Sequence, residues 1–340
     1  MNSKKIKWAI IGSGGIADRR AIPALLLDEE NEIVAVMDKV PAVAKSVAEK
    51  YSIEKYYTDV EEMLKNVPCD AVYIGTPVFC HKEQALTALK YGANVFMEKP
   101  ITMNAKDGEE LLKAFKEKGK LLVIGYMMGY HNLHKTAKRL IKQGKLGQIV
   151  SARMQFSCWY PDIPGAWRQN KSLGGGGCIM DLAVHCMELI YSITGENITD
   201  VKAFYGTNTF NYEVEDSATI AFKTKNGILG HIDVNFNIPD SAATSRLELY
   251  GTAGSLIAEG TLGQEEVGKM KFIYSPQGDY EAAQVRTSTK PKLYYGKGGN
   301  IYTKQFQKFN KLLKRKNPDY SSAKEAILIQ KLCDKIYENK

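Results

Sequence analysis

What most restricts this chain is the alternation with which it opens. Residues 6–11, 33–37, 71–75, 94–97 and 121–125 are short, nearly unbroken apolar runs, and residues 84–89 and 105–118 between them carry apolar side chains at helical spacing. A strand with one wet face alternates polar and apolar residues. Strands that lack this alternation and are separated by helices lie in a parallel sheet covered on both faces. A doubly wound α/β domain with a parallel sheet is therefore expected over residues 1–125. Beyond about residue 147 the period changes to two. Residues 147–156, 200–210, 217–224, 228–236 and 246–251 alternate, with a turn at Lys225-Asn226-Gly227. One helix, residues 178–194 ending at Gly195, interrupts them. Residues 126–319 thus read as an α+β domain with an open, mostly antiparallel sheet and helices on one face. Phe306, Phe309, Leu312 and Leu313, then Ala326, Leu328, Ile329 and Leu332, predict closing helices. A length of 340 residues agrees with two domains at ~150 residues each.

Directly after the first strand stands Gly12-Ser13-Gly14-Gly15-Ile16-Ala17, a Gly-x-Gly-x-x-Ala loop that opens a helix. Glycines let the backbone turn sharply and approach a pyrophosphate, and the start of the helix offers free N–H groups. Asp38 closes the second strand, 21 positions past Ala17, where a carboxylate accepts hydrogen bonds from an adenosine ribose. Strand, glycine loop, helix and acid together predict a Rossmann dinucleotide-binding domain, with Gly12, Ser13, Gly14, Gly15, Ile16 and Asp38 on the cofactor. A carboxylate at Asp38 repels a 2′-phosphate, so NAD is expected. Lys39 beside it would attract that phosphate, which keeps NADP as the alternative.

Two other strand ends point into the same crevice, because ligands of doubly wound sheets bind at the carboxyl ends of the strands. Thr76-Pro77 follows one of them and is expected to touch the cofactor, with His81 four residues on; a His81 bonded to local backbone is the structural alternative. Glu98-Lys99-Pro100 follows the next. A lysine emerging from a buried strand is unusual, since burial disfavours its charge unless it is paired or used. Further on, the glycine run 174–177 leads into a helix that carries Asp181 and His185 four positions apart, hence on one face. A carboxylate beside an imidazole makes a proton-transfer unit, and the glycines permit close approach of substrate or backbone. Reading Asp181, His185 and Glu188 as a metal site fares poorly, with no second imidazole and no cysteine pair, so no metal is expected.

Taken in order, these motifs resemble the Gfo/Idh/MocA oxidoreductases over nearly the whole chain. The resemblance implies a Rossmann domain followed by an open mixed-sheet domain, with a last helix at about 320–340 returning to the first. It also implies Lys99, Asp181 and His185 as the catalytic group, and Glu98, Lys99 and His81 among the residues around the cofactor. Many members resemble Gly-Phe-x-x-Arg-Phe-x-Pro after the sixth strand. Here Gly125-Tyr126-Met127-Met128-Gly129-Tyr130-His131-Asn132 places Gly129 and Asn132 at the arginine and proline positions. Trp167-Arg168 matches a frequent Trp-Arg pair, in which Arg168 either binds an anionic or polyhydroxylated group or forms a structural stack on the indole. The chemistry expected is reversible hydride transfer between nicotinamide C4 and a secondary alcohol of a sugar, sugar derivative or cyclitol. His185 is the expected acid/base, assisted by Asp181 and Lys99; Lys99 as base is the alternative. Lys99, Tyr126, Trp167, Arg168, Asp181 and His185 are the expected substrate contacts. Two rival readings are an NAD-using glycosidase acting by transient oxidation and a non-catalytic NAD-binding sensor.

Charge adds little to this picture. The chain has 46 basic and 38 acidic residues, a net +8, spread along its length as on a lysine-rich solvated surface, and no nucleic-acid motif accompanies it. The six cysteines form no Cys-x-x-Cys pair and read as reduced. No uninterrupted apolar run approaches the ~20 residues of a membrane span. The first apolar stretch, residues 6–12, ends in glycines and reads as a strand, not a signal peptide. A cytoplasmic enzyme without membrane or nucleic-acid partners is expected. A homodimer or homotetramer is expected as well, because an open sheet leaves one face uncovered.

Overall fold

A computed structural model describes residues 4–276, 278–280, 282 and 289–338; the ends 1–3 and 339–340 of the segments discussed above lie outside the described residues. The chain divides into two compact units. The first comprises Met1–Tyr126, Ser172–Gly175 and Tyr302–Asp334, and the second Met127–Lys171, Gly176–Ile301 and Lys335–Lys340.

The first unit is a parallel sheet of β1 (Ile6–Ile11), β2 (Asn31–Met37), β3 (Tyr56–Tyr57), β4 (Ala71–Ile74), β5 (Asn94–Glu98) and β6 (Leu122–Gly125), in the order β3-β2-β1-β4-β5-β6. The order reverses between β1 and β4, which creates the crevice where doubly wound folds bind nucleotides. All four residues of β4 and all four of β6 are buried, which accounts for their unbroken apolar sequence. The short β3 was not legible from periodicity, since two residues carry none. Trp8 sits at the centre of this core. Its ring packs on Phe306 and Phe309, with centroids 5.6 and 4.9 Å away, and its indole N–H donates to Asn31 Oδ1 at 2.9 Å. Asn310 Nδ2 donates to the same oxygen, so helix Ile301–Leu313 is docked both by aromatic packing and by a buried amide pair. Helix Ser321–Glu338 follows it. Ser322 Oγ accepts from the Ile124 N–H, and the Asp334 carboxylate accepts from the Ala105 N–H at 2.8 Å.

The second unit is built on a mixed sheet of β7 (Ile149–Ser157), β8 (Ile198–Gly206), β9 (Ser217–Thr224), β10 (Leu229–Asn235), β11 (Arg246–Gly251), β12 (Gly254–Glu259), β13 (Lys269–Tyr274) and β14 (Lys292–Tyr295). The order is β14-β13-β12-β11-β7-β10-β9-β8, antiparallel throughout except for the β7–β10 pair. The sheet extends beyond the alternation read from sequence by β12, β13 and β14. The alternating run expected to reach residue 210 stops at Gly206, because the N–H groups of Asn208, Thr209 and Phe210 turn aside to the Asp216 carboxylate. The expected helix 178–194 is present in two parts, a wide π-type turn at Ile179–Ala183 and an α-helix at Val184–Thr194, closed by Gly195 at φ +80°. Counting uninterrupted apolar residues missed one property of this segment. Lys171–Thr194 has the length and mean hydropathy of a membrane span, yet 78% of its most apolar stretch is buried inside the protein, as in a core helix.

Glu325, on helix Ser321–Glu338, is 9% exposed, and burial pushes its carboxyl up from the ordinary 4.5 to about 7. A raised carboxyl favours the folded state while protonated. Its contribution is therefore complete below pH 4.5 and is lost as the pH rises through about 7. Glu325→Gln is expected to stabilise the protein by roughly 2 kcal/mol at pH 8 and to be neutral at pH 4. Denaturant titrations at the two pH values check this; equal effects at both contradict it.

Candidate active site

The glycine loop between β1 and the helical stretch beginning at Gly15 is closed to a side chain at its first glycine. Gly12 has φ +76°, and a Cβ there would lie 2.6 Å from Thr76 Cγ2 and 2.9 Å from Thr76 N. Gly15 is also left-handed, at φ +52°. The Gly14 N–H donates to Asp38 Oδ2 at 3.1 Å, while Asp38 Oδ1 accepts from the Val40 N–H at 3.0 Å. Asp38 therefore fixes the loop as well as standing at the strand end. Ser13 is fully buried, and its hydroxyl has no hydrogen-bond partner within the protein. A bare backbone cradle, an orphaned hydroxyl and a carboxylate beside them fit a dinucleotide, with Gly12–Ile16 around the pyrophosphate and Asp38 toward the ribose.

At the adjoining strand ends, Thr76 Oγ1 donates to Gln84 Oε1, and Pro77 precedes the turn Val78–Cys80. His81 has a different place from the one expected of a cofactor contact. It is 1% exposed, with Nδ1 2.9 Å from the Pro100 carbonyl and Nε2 3.0 Å from the Thr76 carbonyl. Each ring nitrogen lies against a backbone carbonyl and the neutral ring donates to one of them, which sets the imidazole between the end of β4 and Pro100. Burial pushes its pKa down to about 4, against the pull of the two carbonyls toward the cation. Glu98 Oε1 accepts from the buried Tyr73 hydroxyl at 2.9 Å, which places Glu98 at the mouth of β5 with half-buried Lys99 next to it. Tyr126, just past β6, is 6% exposed.

In the second unit, Asp181 lies in the wide turn and His185, 4% exposed, one turn further along the core helix. The Phe156 ring meets the His185 imidazole edge-on at 6.4 Å. Asp181 Oδ1 is 3.5 Å from Arg168 Nε, and the guanidinium lies over the Trp167 ring at 4.3 Å. Of the two roles open to Trp167-Arg168, the stack is therefore present, and the arginine charge is shared with Asp181.

Two glycines of the run are packed against the protein itself. A Cβ on Gly177 would lie 2.0 Å from the Glu215 carbonyl oxygen, and one on Gly176 would lie 1.9 Å from the Tyr337 hydroxyl. Glu215 is the residue that sequence reasoning passed over. Its buried carboxylate accepts from the N–H groups of Gly177 and Ile179 and from the Tyr337 hydroxyl, at 2.8–3.0 Å. Burial nevertheless raises its pKa. The available signal was the acidic pair Glu215-Asp216 set directly before an alternating strand. The departures around residues 125–132 also have local causes. A Cβ on Gly129 would lie 2.6 Å from Ser192 Oγ, and the Asn132 N–H, which a proline would lack, donates to Glu266 Oε1 at 2.7 Å.

Residues 6–126 match the family model for an oxidoreductase family with an NAD-binding Rossmann fold, and residues 134–257 match that of the GFO/IDH/MocA C-terminal domain. Among curated proteins, 1,5-anhydro-D-fructose reductase of Ensifer adhaerens is 28% identical over 77% of this chain and 78% of its own. Among solved structures, aldose-aldose oxidoreductase of Caulobacter crescentus superposes with a TM-score of 0.86 at 22% identity, covering 98% of this chain and 97% of that one. The 3-ketoreductase KijD10 of Actinomadura kijaniata, solved with NADP and TDP-benzene, gives 0.83 at 20% identity over 98% of both chains. With both halves matched and the cofactor cradle in place, the chain belongs to the GFO/IDH/MocA oxidoreductase family and is an NAD(P)-dependent enzyme.

Proposed function

We propose that the enzyme reversibly oxidises a secondary alcohol on a sugar, sugar derivative or cyclitol. The reading is carried by the placement of a buried imidazole, His185, one turn after a carboxylate whose position is set by Arg168. Named sugar reductases among the relatives support the substrate class. The nicotinamide, when bound, accepts hydride from the alcohol carbon at C4 or returns it. His185 takes the hydroxyl proton as the carbonyl forms and gives it back in the reverse direction. Lys99, at the end of β5, hydrogen-bonds the substrate oxygen and stabilises its developing negative charge. Asp181 holds the substrate or the imidazole in register. NAD is the proposed cofactor over NADP, because both Asp38 oxygens are pinned by backbone N–H groups and the carboxylate cannot swing away from a 2′-phosphate.

A homodimer or homotetramer formed through the uncovered face of the eight-stranded sheet is part of the same proposal. One cross-strand row on that face runs Phe204, Thr219, Asp233, Gln155, Arg246, and Phe204 is 89% exposed. A reducing, cytoplasmic setting is part of the proposal too, since the six cysteines include no Cys-x-x-Cys pair.

In an NAD-reduction screen over free sugars, glycosides and inositols, His185→Ala and Lys99→Ala are each expected to lower kcat by about 100-fold or more while NAD binding survives. Near-normal turnover in either variant refutes its assignment. Gly12→Ala should instead abolish NADH binding, followed by its fluorescence enhancement, because the added methyl collides with Thr76. Light scattering is expected to give a dimer or tetramer for the wild type and a smaller species for Ala221→Glu on the open face; a wild-type monomer contradicts the assembly.

A further inference from the structure

Beside Asp181, the second unit holds a set of aromatic rings that its own fold does not require. Trp159 is 45% exposed and meets Phe210 edge-on at 5.3 Å; Phe210 in turn lies nearly parallel to Tyr212 at 5.4 Å. Ile163 beside them in the chain is 43% exposed. An indole and a large aliphatic side chain left in water forgo the stabilisation that burial would bring, and exposed apolar clusters of this kind mark binding surfaces.

The backbone beneath the rings is fixed, so their exposure is not a consequence of a loose loop. The Trp159 N–H donates to Asp240 Oδ1 at 3.1 Å, and the Phe210 N–H donates to Asp216 Oδ2 at 3.1 Å. Gln169, 8% exposed, clamps the intervening loop through Pro161 O at 2.6 Å and the Ile163 N–H at 2.9 Å. A rigid, preformed aromatic surface loses little entropy when a ligand arrives.

The wall continues into the catalytic group. The Tyr212 hydroxyl donates to the Tyr160 carbonyl at 3.2 Å; the Arg168 charge acts on the Tyr160 side chain, and Arg168 pairs with Asp181. Arg168 is thus already shared with a carboxylate, so the surface suits an uncharged ligand. Flat rings with polar neighbours such as Asp162 and Asn211 match a pyranose, whose axial C–H face is apolar and whose rim carries hydroxyls.

We propose that Trp159, Phe210 and Tyr212 form a subsite for a second, neutral sugar ring, so that the substrate is a disaccharide or glycoside whose other ring reacts at Asp181 and His185. The inference rests on the sugar reading above and deepens it. The test is calorimetric titration of the NADH-loaded enzyme, which cannot oxidise an alcohol, with matched pairs: cellobiose and maltose against glucose, and lactose against both galactose and glucose. At least one disaccharide is expected to bind about tenfold tighter than its component monosaccharides. Trp159→Ala and Phe210→Ala should each erase that preference while leaving monosaccharide binding unchanged. The subsite is overturned if no disaccharide outbinds its monosaccharides or if the preference survives both substitutions. It is also overturned if the substitutions reduce the oligomer mass in light scattering, which would make the wall a subunit interface. Because binding is read without turnover, a disaccharide that binds through the wall but is never oxidised counts against the proposed reaction and not against the subsite.

Discussion

Glu215 is a carboxylate buried among three donors: two backbone N–H groups at the start of the core helix segment and the hydroxyl of Tyr337. Its own carbonyl accepts from Cys178 at 3.1 Å, so the strand entering β9 and the turn entering the core helix are laced together on both sides of one residue. Burying a carboxylate is costly unless its oxygens are satisfied, and here the satisfying groups are the otherwise orphaned N–H groups that open a helical segment. At Gly177 the lacing brings backbone close enough to exclude a Cβ, and at Gly176 a Cβ would meet the Tyr337 hydroxyl. Asp181 and His185 follow directly from that fixed start, and their aim depends on it. Asp216, the next residue, performs a parallel service by gathering the loop N–H groups of Asn208, Thr209 and Phe210.

The first unit solves a related problem with two side chains. Asp38 ties the glycine loop to the end of β2, and His81 sets its ring between the end of β4 and the carbonyl just beyond Lys99. Strand ends in a parallel sheet carry unpaired backbone groups, and two such carbonyls flank the His81 ring. Cofactor chemistry in this fold therefore rests on residues that mostly touch backbone. The lysine-rich charge, by contrast, remains surface chemistry: Lys314 pairs with Glu30 and Arg315 with Asp319, all on exposed side chains worth little each.

Much of this was legible because burial writes itself into sequence wherever an element is covered in a simple way. β1, β9 and β11 lie within the runs read from periodicity, since each has a regular environment along its length. Legibility failed where the environment is irregular. The strand expected to reach residue 210 was cut short by hydrogen bonds to Asp216, and the single helix 178–194 was divided by a wide turn that no periodicity marks. His81 shows the same limit: its spacing after Thr76-Pro77 was visible, but the two carbonyls that flank its ring nitrogens lie 5 and 19 residues away.

The sequence by itself determined the class of each half of the chain and the cofactor loop with its acidic strand end, and it singled out Lys99, Asp181 and His185 as candidates for the chemistry. These follow from local pattern, because side-chain period, glycine placement and strand-end chemistry are properties of neighbouring residues. Only the tertiary structure decided that Arg168 is shared between Trp167 and Asp181, that Glu215 holds Gly177, and that Trp159 stands exposed against Phe210. Each of those depends on pairs of groups 13 to 51 positions apart, brought within a few ångströms by the packing of a core whose long-range contacts no local pattern encodes.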